Sequence, residues 1–301
     1  MSAAVLDRAG DRRNAAARLD LLRRPLDLCA LALTGAAAWR GAAARTHLSL
    51  VQPLPLTCRI AVVPTTPGCG ATTVALQLTG ALTRARRTPA LLLSASPGSD
   101  TVADHLPFAR RWPLEEPLPA ATPPARLGPA LRDSAGCGPD GLTSCLRLPT
   151  AQAGVPSAWH RARRELGHFF DSCLTEFGPL TPAESARIAP FHHAVVLVSP
   201  ARRREVERTR GHLRELAAAV ADRPTEPGRG RRPAVLHAVV ATAPGHPLIP
   251  RLGPDETLIP YDPALLRQTT PIPLRRRTAV AITALAARAV DGAARSVRGK
   301  S

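Results

Sequence analysis

A chain of 301 residues with 45 % apolar side chains is long enough to bury a core of one moderately sized domain. Its 40 basic residues against 23 acidic ones give a formal charge of +17, which favours an anionic partner. Nucleic acid, an acidic membrane surface and an acidic protein all meet that description. Every basic residue except Lys300 is arginine, so a coding bias towards arginine accounts for part of the charge.

The cysteines and the first residues argue against a secreted or membrane-spanning protein. The six cysteines include no C-x-x-C pair and no histidine at metal spacing, so free thiols in a reducing cytosol are expected. Residues 1–25 lack the layout of a signal peptide, and the apolar stretch 26–39 is interrupted by Asp27 and too short to span a bilayer. We expect a cytoplasmic protein without a transmembrane segment, with a peripheral position at the membrane as the alternative.

Composition divides the chain into three regions. Residues 1–50 are rich in alanine and arginine and predict a helical arm, which either packs on its own domain or lies on a membrane or DNA. Residues 51–291 form the main domain, within which residues 107–140 are a proline-rich insertion. Residues 292–301 form a basic tail.

From Thr57 onward, short apolar strands alternate with helices. The run RIAVV (59–63) leads into the glycine-rich turn PTTPGCGATTV (64–74), a helix over 72–87 and a buried strand at 90–93. This order is a βαβ unit and implies a parallel sheet. Further strands are predicted at 142–148, 192–200, 234–242 and 257–262, and further helices at 158–166, 203–221 and 278–290. The predicted fold class is α/β: a doubly wound, mainly parallel sheet with helices on both faces.

The glycine-rich turn is the candidate binding site. Gly68, Gly70, Thr72 and Thr73 lie where a strand ends and a helix begins, and the backbone N–H groups of a helix N-terminus bind anions without help from any side chain. The ordinary phosphate-binding loop, G-x-x-x-x-G-K-[ST], would place lysine at position 71. This sequence has Ala71, so the motif alone is a weak match.

The order of segments over residues 51–291 resembles the MinD/ParA family of P-loop ATPases. The family's deviant loop, K-G-G-x-G-K-T-T, aligns with residues 66–73, where two glycines and both threonines are kept and both lysines are replaced. The stretches PLPLTCRIAVV and IPYDPALLRQTTPIPLRRRT are most similar to the actinobacterial subgroup associated with type VII (ESX) secretion. The resemblance implies a P-loop NTPase fold, ATP and magnesium as ligands, and a homodimer or another protein as partner.

Other positions of the family pattern are also changed. The Asp-x-Asp-Pro switch segment aligns with residues 94–97, where Ser94 and Ser96 replace both carboxylates. The Walker B strand aligns with FDSCLTEFGPL, which places Glu176 at the acidic position. Three roles are open for Glu176: it holds a magnesium-bound water, caps a helix or faces solvent. No residue is identified as catalytic. Arginines that could replace the lysines are Arg84, Arg86, Arg87 and Arg275 to Arg277.

The missing lysines should weaken nucleotide binding considerably. A hydrogen bond to a charged group contributes roughly 1.5–3 kcal/mol, so two losses cost roughly 3–6 kcal/mol, or about 10²- to 10⁴-fold in affinity. Three hypotheses follow. The first is a degenerate regulatory component that binds nucleotide weakly or does not hydrolyse it. The second is an atypical Mg-ATP-dependent dimerisation switch in secretion, partitioning or septum placement, and the third is a basic protein that binds DNA or membrane surfaces. Whether the protein is an enzyme stays open.

The pair His192 and His193 is interpreted as structural.

Overall fold

The computed structural model describes most of the predicted main domain, namely residues 36–54, 57–98, 101–105, 136–138, 140–148, 154–222, 232–266 and 274–298. The chain divides into two compact units, residues 1–46 and 47–301. Residues 1–35 of the predicted arm, most of the proline-rich insertion and residues 299–301 lie outside the described residues.

Within the described residues, eight strands form one sheet in the order β3-β4-β2-β5-β1-β6-β7-β8. All neighbouring strands are parallel except β3 and β4, which are antiparallel. The strands are β1 Cys58–Pro64, β2 Ala90–Ala95, β3 Gly136–Cys137, β4 Thr143–Arg147, β5 Ser172–Phe177, β6 Ala194–Pro200, β7 Ala234–Val240 and β8 Glu256–Ile259. The predicted α/β class with a mainly parallel sheet is therefore confirmed. The short strand β3 was not predicted.

Helices cover both faces of this sheet, as expected for strands that are apolar throughout. The helices of the described residues are α1 Ala36–Val51, α2 Ala71–Arg86, α3 Val102–His105, α4 Ser157–Leu166, α5 Pro182–Ile188, α6 Arg203–Ala221, α7 Pro263–Leu266 and α8 Arg276–Arg298. Helix α8 is longer at both ends than predicted. Helix α5 was missed, although Thr181 and Glu184 form a capping box at its start. None of the described helices is long and apolar enough to cross a bilayer.

Successive side chains of β1 point to opposite faces of the sheet and pack in two separate apolar clusters. Ile60 and Val62 pack with residues of α2 and α8 on one face, which we call the α2 face. Ala61 and Val63 pack with residues of α4 and α6 on the other, which we call the α6 face. Because all four residues are fully buried, β1 is the central strand of the domain, and the loop that follows it has a fixed origin.

The chain connections define a crevice above β1. From β1 the chain crosses through α2 to β2 on one side, whereas from β5 it crosses through α5 to β6 on the other. In open α/β sheets ligands bind outside the carboxyl ends of strands at such a switch point. We call the edge at which the parallel strands end the carboxyl edge, and the opposite one the amino edge.

A buried polar chain links α6 to strands β6, β7 and β8. Arg210 pairs with Glu256 at 2.7 Å, Glu256 contacts His237 Nδ1 at 3.0 Å, and His237 Nε2 contacts Ser199 Oγ at 2.8 Å. Hydrogen bonding to Arg210 lowers the pKa of Glu256 to about 2. The order serine, histidine, carboxylate is that of a nucleophile and its base. Ser199 and His237 are fully buried beneath α6, so we assign the chain to structure rather than catalysis.

Both histidines of the pair 192–193 bond backbone groups. His192 Nδ1 lies 3.0 Å from the Ile188 carbonyl oxygen, and His193 Nδ1 accepts the Arg59 N–H at 3.0 Å. Burial lowers the pKa of His192 to about 3. The structural interpretation of the pair agrees with these contacts.

We expect His192 to make the domain less stable in acid. In the folded protein it stays neutral down to about pH 3, whereas in the unfolded chain it takes up a proton near pH 6.5, so unfolding binds protons between these values. The free energy of unfolding should therefore fall as pH drops from 6.5 towards 3, by at most about 1.4 kcal/mol per pH unit from this residue. Urea denaturation across this range should show the fall in the unaltered protein and less of it in His192→Asn. His246→Asn, at an exposed position, is the control and should keep the full fall.

Candidate functional site

Thr65 ties the loop between β1 and α2 to strand β6 and to helix α6. The Thr65 hydroxyl donates to the Val198 carbonyl oxygen at 3.0 Å and accepts from the Thr209 hydroxyl at 3.1 Å. Gly70 begins α2 in the left-handed region, with φ 89°, and a Cβ there would lie 3.2 Å from Val240 Cγ1. Gly70 offers no side chain to cap the helix, so the first N–H groups of α2 are directed at the loop.

Thr72 and Glu176 meet at the start of α2. The Thr72 hydroxyl donates to Glu176 Oε1 at 2.5 Å, and the Val102 N–H donates to Glu176 Oε2 at 2.9 Å. Glu176 is only 1 % exposed, so its predicted alternative as a solvent-facing residue is wrong. It does cap a helix in part, because Val102 is the first residue of α3. The parallel pairing of β1 with β5, which sets Val62 beside Glu176, brings the two elements together.

The two serines at the switch-equivalent positions behave differently. Ser94 lies opposite Glu176 in the pairing of β2 with β5 and is fully buried. Its hydroxyl has no hydrogen-bond partner in the described part of the chain, so a polar group beside the carboxylate remains unsatisfied. Ser96 is partly buried, and its hydroxyl lies 3.5 Å from the Pro97 carbonyl oxygen. Neither serine supplies the negative charge that an aspartate would place at this edge.

Arg147 is a site residue that the sequence analysis missed. It ends β4 opposite Ser94, forms an ion pair with Asp104, and donates to the Thr101 hydroxyl at 3.4 Å. Thr101 and Asp104 flank Val102, whose N–H binds Glu176. Arg147 thus fixes the segment that holds the carboxylate. A charged residue at the carboxyl end of a strand was the available signal.

Pro97 packs directly against the end of β5. A Cβ added to Gly178 would lie 2.5 Å from Pro97 Cδ, far inside contact distance. Only glycine at position 178 allows the segment 94–97 to lie where it does. This contact ties the segment that follows β2 to the end of β5.

The other residues of the loop leave it electrically neutral. Ala71, at the position of the missing lysine, is 7 % exposed and packs with Val74 in the cluster on the α2 face. Cys69 is buried, and burial raises the pKa of its thiol. The described cysteines are free thiols, as predicted, and no metal-binding group of three or more His, Cys, Asp or Glu side chains occurs among the described residues.

The structure separates the candidate arginines into two groups. Arg84, Arg86 and Arg87 lie at the far end of α2, about 24 Å along the helix from the loop. Arg86 pairs there with Asp171 at 2.5 Å, so the proposed replacement of lysine by these residues is wrong. Arg275 to Arg277 lie at the start of α8, which packs beside α2. The Arg275 N–H donates to Asp262 at 2.7 Å, which fixes that start near the end of β8.

The adjacent Thr72 hydroxyl and Glu176 carboxylate fit a magnesium ion. Mg²⁺ prefers oxygen ligands, retains several waters and is usually held by one or two protein groups together with substrate phosphates. These two oxygen donors lie 2.5 Å apart beside an unsatisfied hydroxyl, and the backbone N–H groups of the loop suit a phosphate. Such a site could bind a phosphate and a metal, but it has no side-chain cation at position 71.

No protein-family model and no curated protein matches the chain. Among solved structures, the chain is similar to a ParA family ATPase from Chlorobium tepidum TLS, with 12 % identity and a TM-score of 0.45 over 79 % of this chain and 98 % of that one. It is similar to the MinC:MinD cell division protein complex of Aquifex aeolicus, with 15 % identity and a TM-score of 0.48 over 77 % and 95 % of the chains.

A third similar structure is cobyrinic acid a,c-diamide synthase from Mycobacterium smegmatis with bound ADP and magnesium. The identity is 17 % and the TM-score 0.44, over 77 % of this chain and 93 % of that one. The structural neighbours thus include MinD and ParA-family ATPases. At these identities the likeness concerns the fold alone.

We expect Gly178→Ala to disturb the site through Pro97. The added methyl group must displace the proline ring, and overpacking of this kind costs about 1–3 kcal/mol of stability. Chemical denaturation should show a loss of that size. Gly167→Ala is the matched control, because a Cβ at that position meets nothing within 4 Å, and it should be within about 0.5 kcal/mol of the unaltered protein. Equal stability of the two variants would contradict the close packing of Pro97 on Gly178.

Proposed function

We propose that the protein is a MinD/ParA-like component that binds a nucleoside triphosphate weakly with magnesium, does not hydrolyse it efficiently, and acts by interacting with other macromolecules. The observation that supports this most directly is the 2.5 Å hydrogen bond between Thr72 and Glu176 beside a neutral Ala71. The oxygen donors for magnesium are in position, and the charge that would hold and activate the phosphate is absent. We propose Gly68, Gly70, Ala71, Thr72 and Thr73 as the loop that would contact the phosphates.

The residues present support binding better than hydrolysis. Backbone N–H groups at the start of α2 attract a phosphate in the ground state, and bound magnesium would neutralise part of its charge. Transfer of a phosphoryl group requires further positive charge, and a group that positions the attacking water. Ser94 and Ser96 stand where the family has aspartates, and the pair contributes neither a base nor an additional ligand charge. We therefore place the protein on the regulatory side of the family.

An active Mg-ATP-dependent dimerisation switch is the alternative. It would need an arginine in place of the lysine, and Arg275 to Arg277 lie at the same edge of the sheet as the loop. Arg147 lies there too but already pairs with Asp104. ATP turnover that Glu176→Ala abolishes would favour this alternative over the non-hydrolysing protein.

The partners follow from the resemblance and from charge. We propose a homodimer or a second protein as the main partner, with type VII secretion as the process, on the similarity to the actinobacterial subgroup. Residues 1–50, 51–291 and 292–301 are proposed as arm, main domain and basic tail. We propose a cytoplasmic location, with a peripheral position at the membrane as the alternative.

We expect calorimetric titration with Mg-ATP to give saturable binding in the millimolar rather than the micromolar range. Gly70→Asp should remove it, because the variant adds negative charge and a Cβ against Val240. Ala71→Lys should strengthen binding about 10- to 100-fold, the effect of one charged hydrogen bond.

The control for Ala71→Lys is Gln77→Lys, which places the same charge about 9 Å further along α2 and should leave affinity unchanged. Circular dichroism confirms that each variant is folded before titration. No heat from either the unaltered protein or Ala71→Lys up to the highest soluble ATP concentration would refute nucleotide binding at this loop.

A second candidate function is binding to DNA or an acidic membrane surface. Exposed arginines begin two helices at the carboxyl edge, Arg202 to Arg204 at α6 and Arg275 to Arg277 at α8. These groups could contact phosphates without the loop, since a fold does not fix a function.

If these arginines bind DNA, affinity for a random duplex should fall steeply with salt, with a slope of log K against log salt of about −0.9 per phosphate contact. Replacing Arg202 to Arg204 by glutamine should reduce the slope by up to about three contacts. Anionic and neutral lipid vesicles provide the parallel test for a membrane surface. Binding that salt does not change would count against both surfaces.

A further inference from the structure

We propose that Arg59 and Arg163 form a binding site for a small oxyanion, a carboxylate or a phosphate, at the amino edge of the sheet. Arg59 lies near the start of β1, about 20 Å along the strand from the glycine-rich loop. The site is therefore separate from the loop, and its existence does not depend on whether the loop binds nucleotide.

The two arginines meet on the α6 face around a cluster of rings. The backbone of Arg59 is fixed in the sheet, where its backbone N–H donates to His193 Nδ1 at 3.0 Å. Arg163 lies on α4 with its guanidinium carbon 4.5 Å from the centre of the Phe191 ring. His192, directly before His193, stacks on Trp159 of α4 with ring centres 5.4 Å apart. Arg163 thus lies on the ring cluster, and Arg59 of the sheet is close enough to lower the pKa of the Arg163 guanidinium, after burial.

Among the residues that the structure describes, no carboxylate pairs with the guanidinium group of Arg59 or Arg163. The Nε atoms of Arg59 and Arg163 are both buried and make no hydrogen bond within the described residues, and no ion pair involves either side chain there. The nearby carboxylates are occupied: Asp171 binds Arg86 and Thr88, and Glu165 binds Arg161 and Arg164. Arg86 differs from both arginines, because its buried guanidinium group donates to the Asp171 carboxylate and to two backbone carbonyl oxygens.

A buried N–H donor of a cation without an acceptor is costly, and two such cations close together are costlier, even when the side chains are only half-buried. Contact with Phe191 and Trp159 offsets part of the cost for Arg163 but none for Arg59. The surrounding histidines respond to the same field. Burial is the main cause of the low pKa of His192, and Arg163 and Arg59 lower it further. Arg163 also lowers the pKa of the more exposed His160, after burial.

The chemistry of the site selects an oxyanion. Guanidinium groups present paired N–H donors that match the two oxygen atoms of a carboxylate or phosphate. Arg59 and Arg163 are half-buried, so an anion from solvent can reach them, whereas Trp159 and His192 are buried and close the site from below. A bound anion would supply the acceptors that the two Nε atoms lack.

The test compares acetate and inorganic phosphate, each against sodium chloride at equal ionic strength, by thermal unfolding and calorimetry of the full chain. We expect saturable stabilisation by one or both anions, and Arg59→Gln or Arg163→Gln should weaken it about 10- to 100-fold. The control is Arg161→Gln, on the same helix but paired with Glu165 and more exposed. Stabilisation by acetate alone identifies a carboxylate ligand, and by phosphate alone a phosphate ligand.

The same variants distinguish phosphate bound at the glycine-rich loop from phosphate bound at the two arginines. Binding at the loop is removed by Gly70→Asp and is unchanged in the arginine variants. Without added anion, Arg163→Gln should be at least as stable as the unaltered protein, since it removes an unpaired charge. A second measurement needs no variant: the pKa of His160, followed by NMR, should rise when the anion binds. Absence of anion-specific stabilisation, or stabilisation that both arginine variants retain, overturns the proposal.

Discussion

The burial of β1 on both faces is the constraint on which the rest of the domain depends. Its alternate residues Ile60, Ala61, Val62 and Val63 serve two different apolar clusters, and neither cluster can form without them. Pairing with β5 on one side and β6 on the other then fixes what surrounds the end of the strand. The loop, Glu176 and the Thr65 contacts owe their positions to this strand and not to any interaction with a ligand.

The candidate site places a hydroxyl and a carboxylate together beside neutral side chains. Thr72 and Glu176 are in contact at the start of α2, whereas positions 66, 71, 94 and 96 carry neutral side chains. Hydrogen bonds within the protein hold the remaining carboxylate in place, through Thr72 and Val102. A ligand would have to compete with these bonds, since the same hydroxyl and carboxylate oxygens would be its ligands.

Local sequence patterns predicted the elements of the sheet well, and contacts between distant residues poorly. Apolar runs such as RIAVV gave β1, β2, β6 and β7, because strands buried on both faces have a strong pattern. Strand β5 was placed only by the family resemblance. Strand β3 has only two residues and no pattern to detect. Arg147 was missed because its place at the site depends on β4 lying beside β2. The contact between Ser199 and His237 joins residues 38 positions apart and has no local signal.

The close approach of Val240 to Gly70 and of Pro97 to Gly178 also bears on what such a chain can lose. Both glycines are demanded by packing, so any substitution there is selected against through folding, whether or not a phosphate is ever bound. The fold makes no comparable demand for a charge at position 71, where Ala71 fits the apolar cluster on the α2 face. The fold therefore needs Gly70 and Gly178 even if no nucleotide ever binds, and the presence of these two glycines alone is a poor guide to activity.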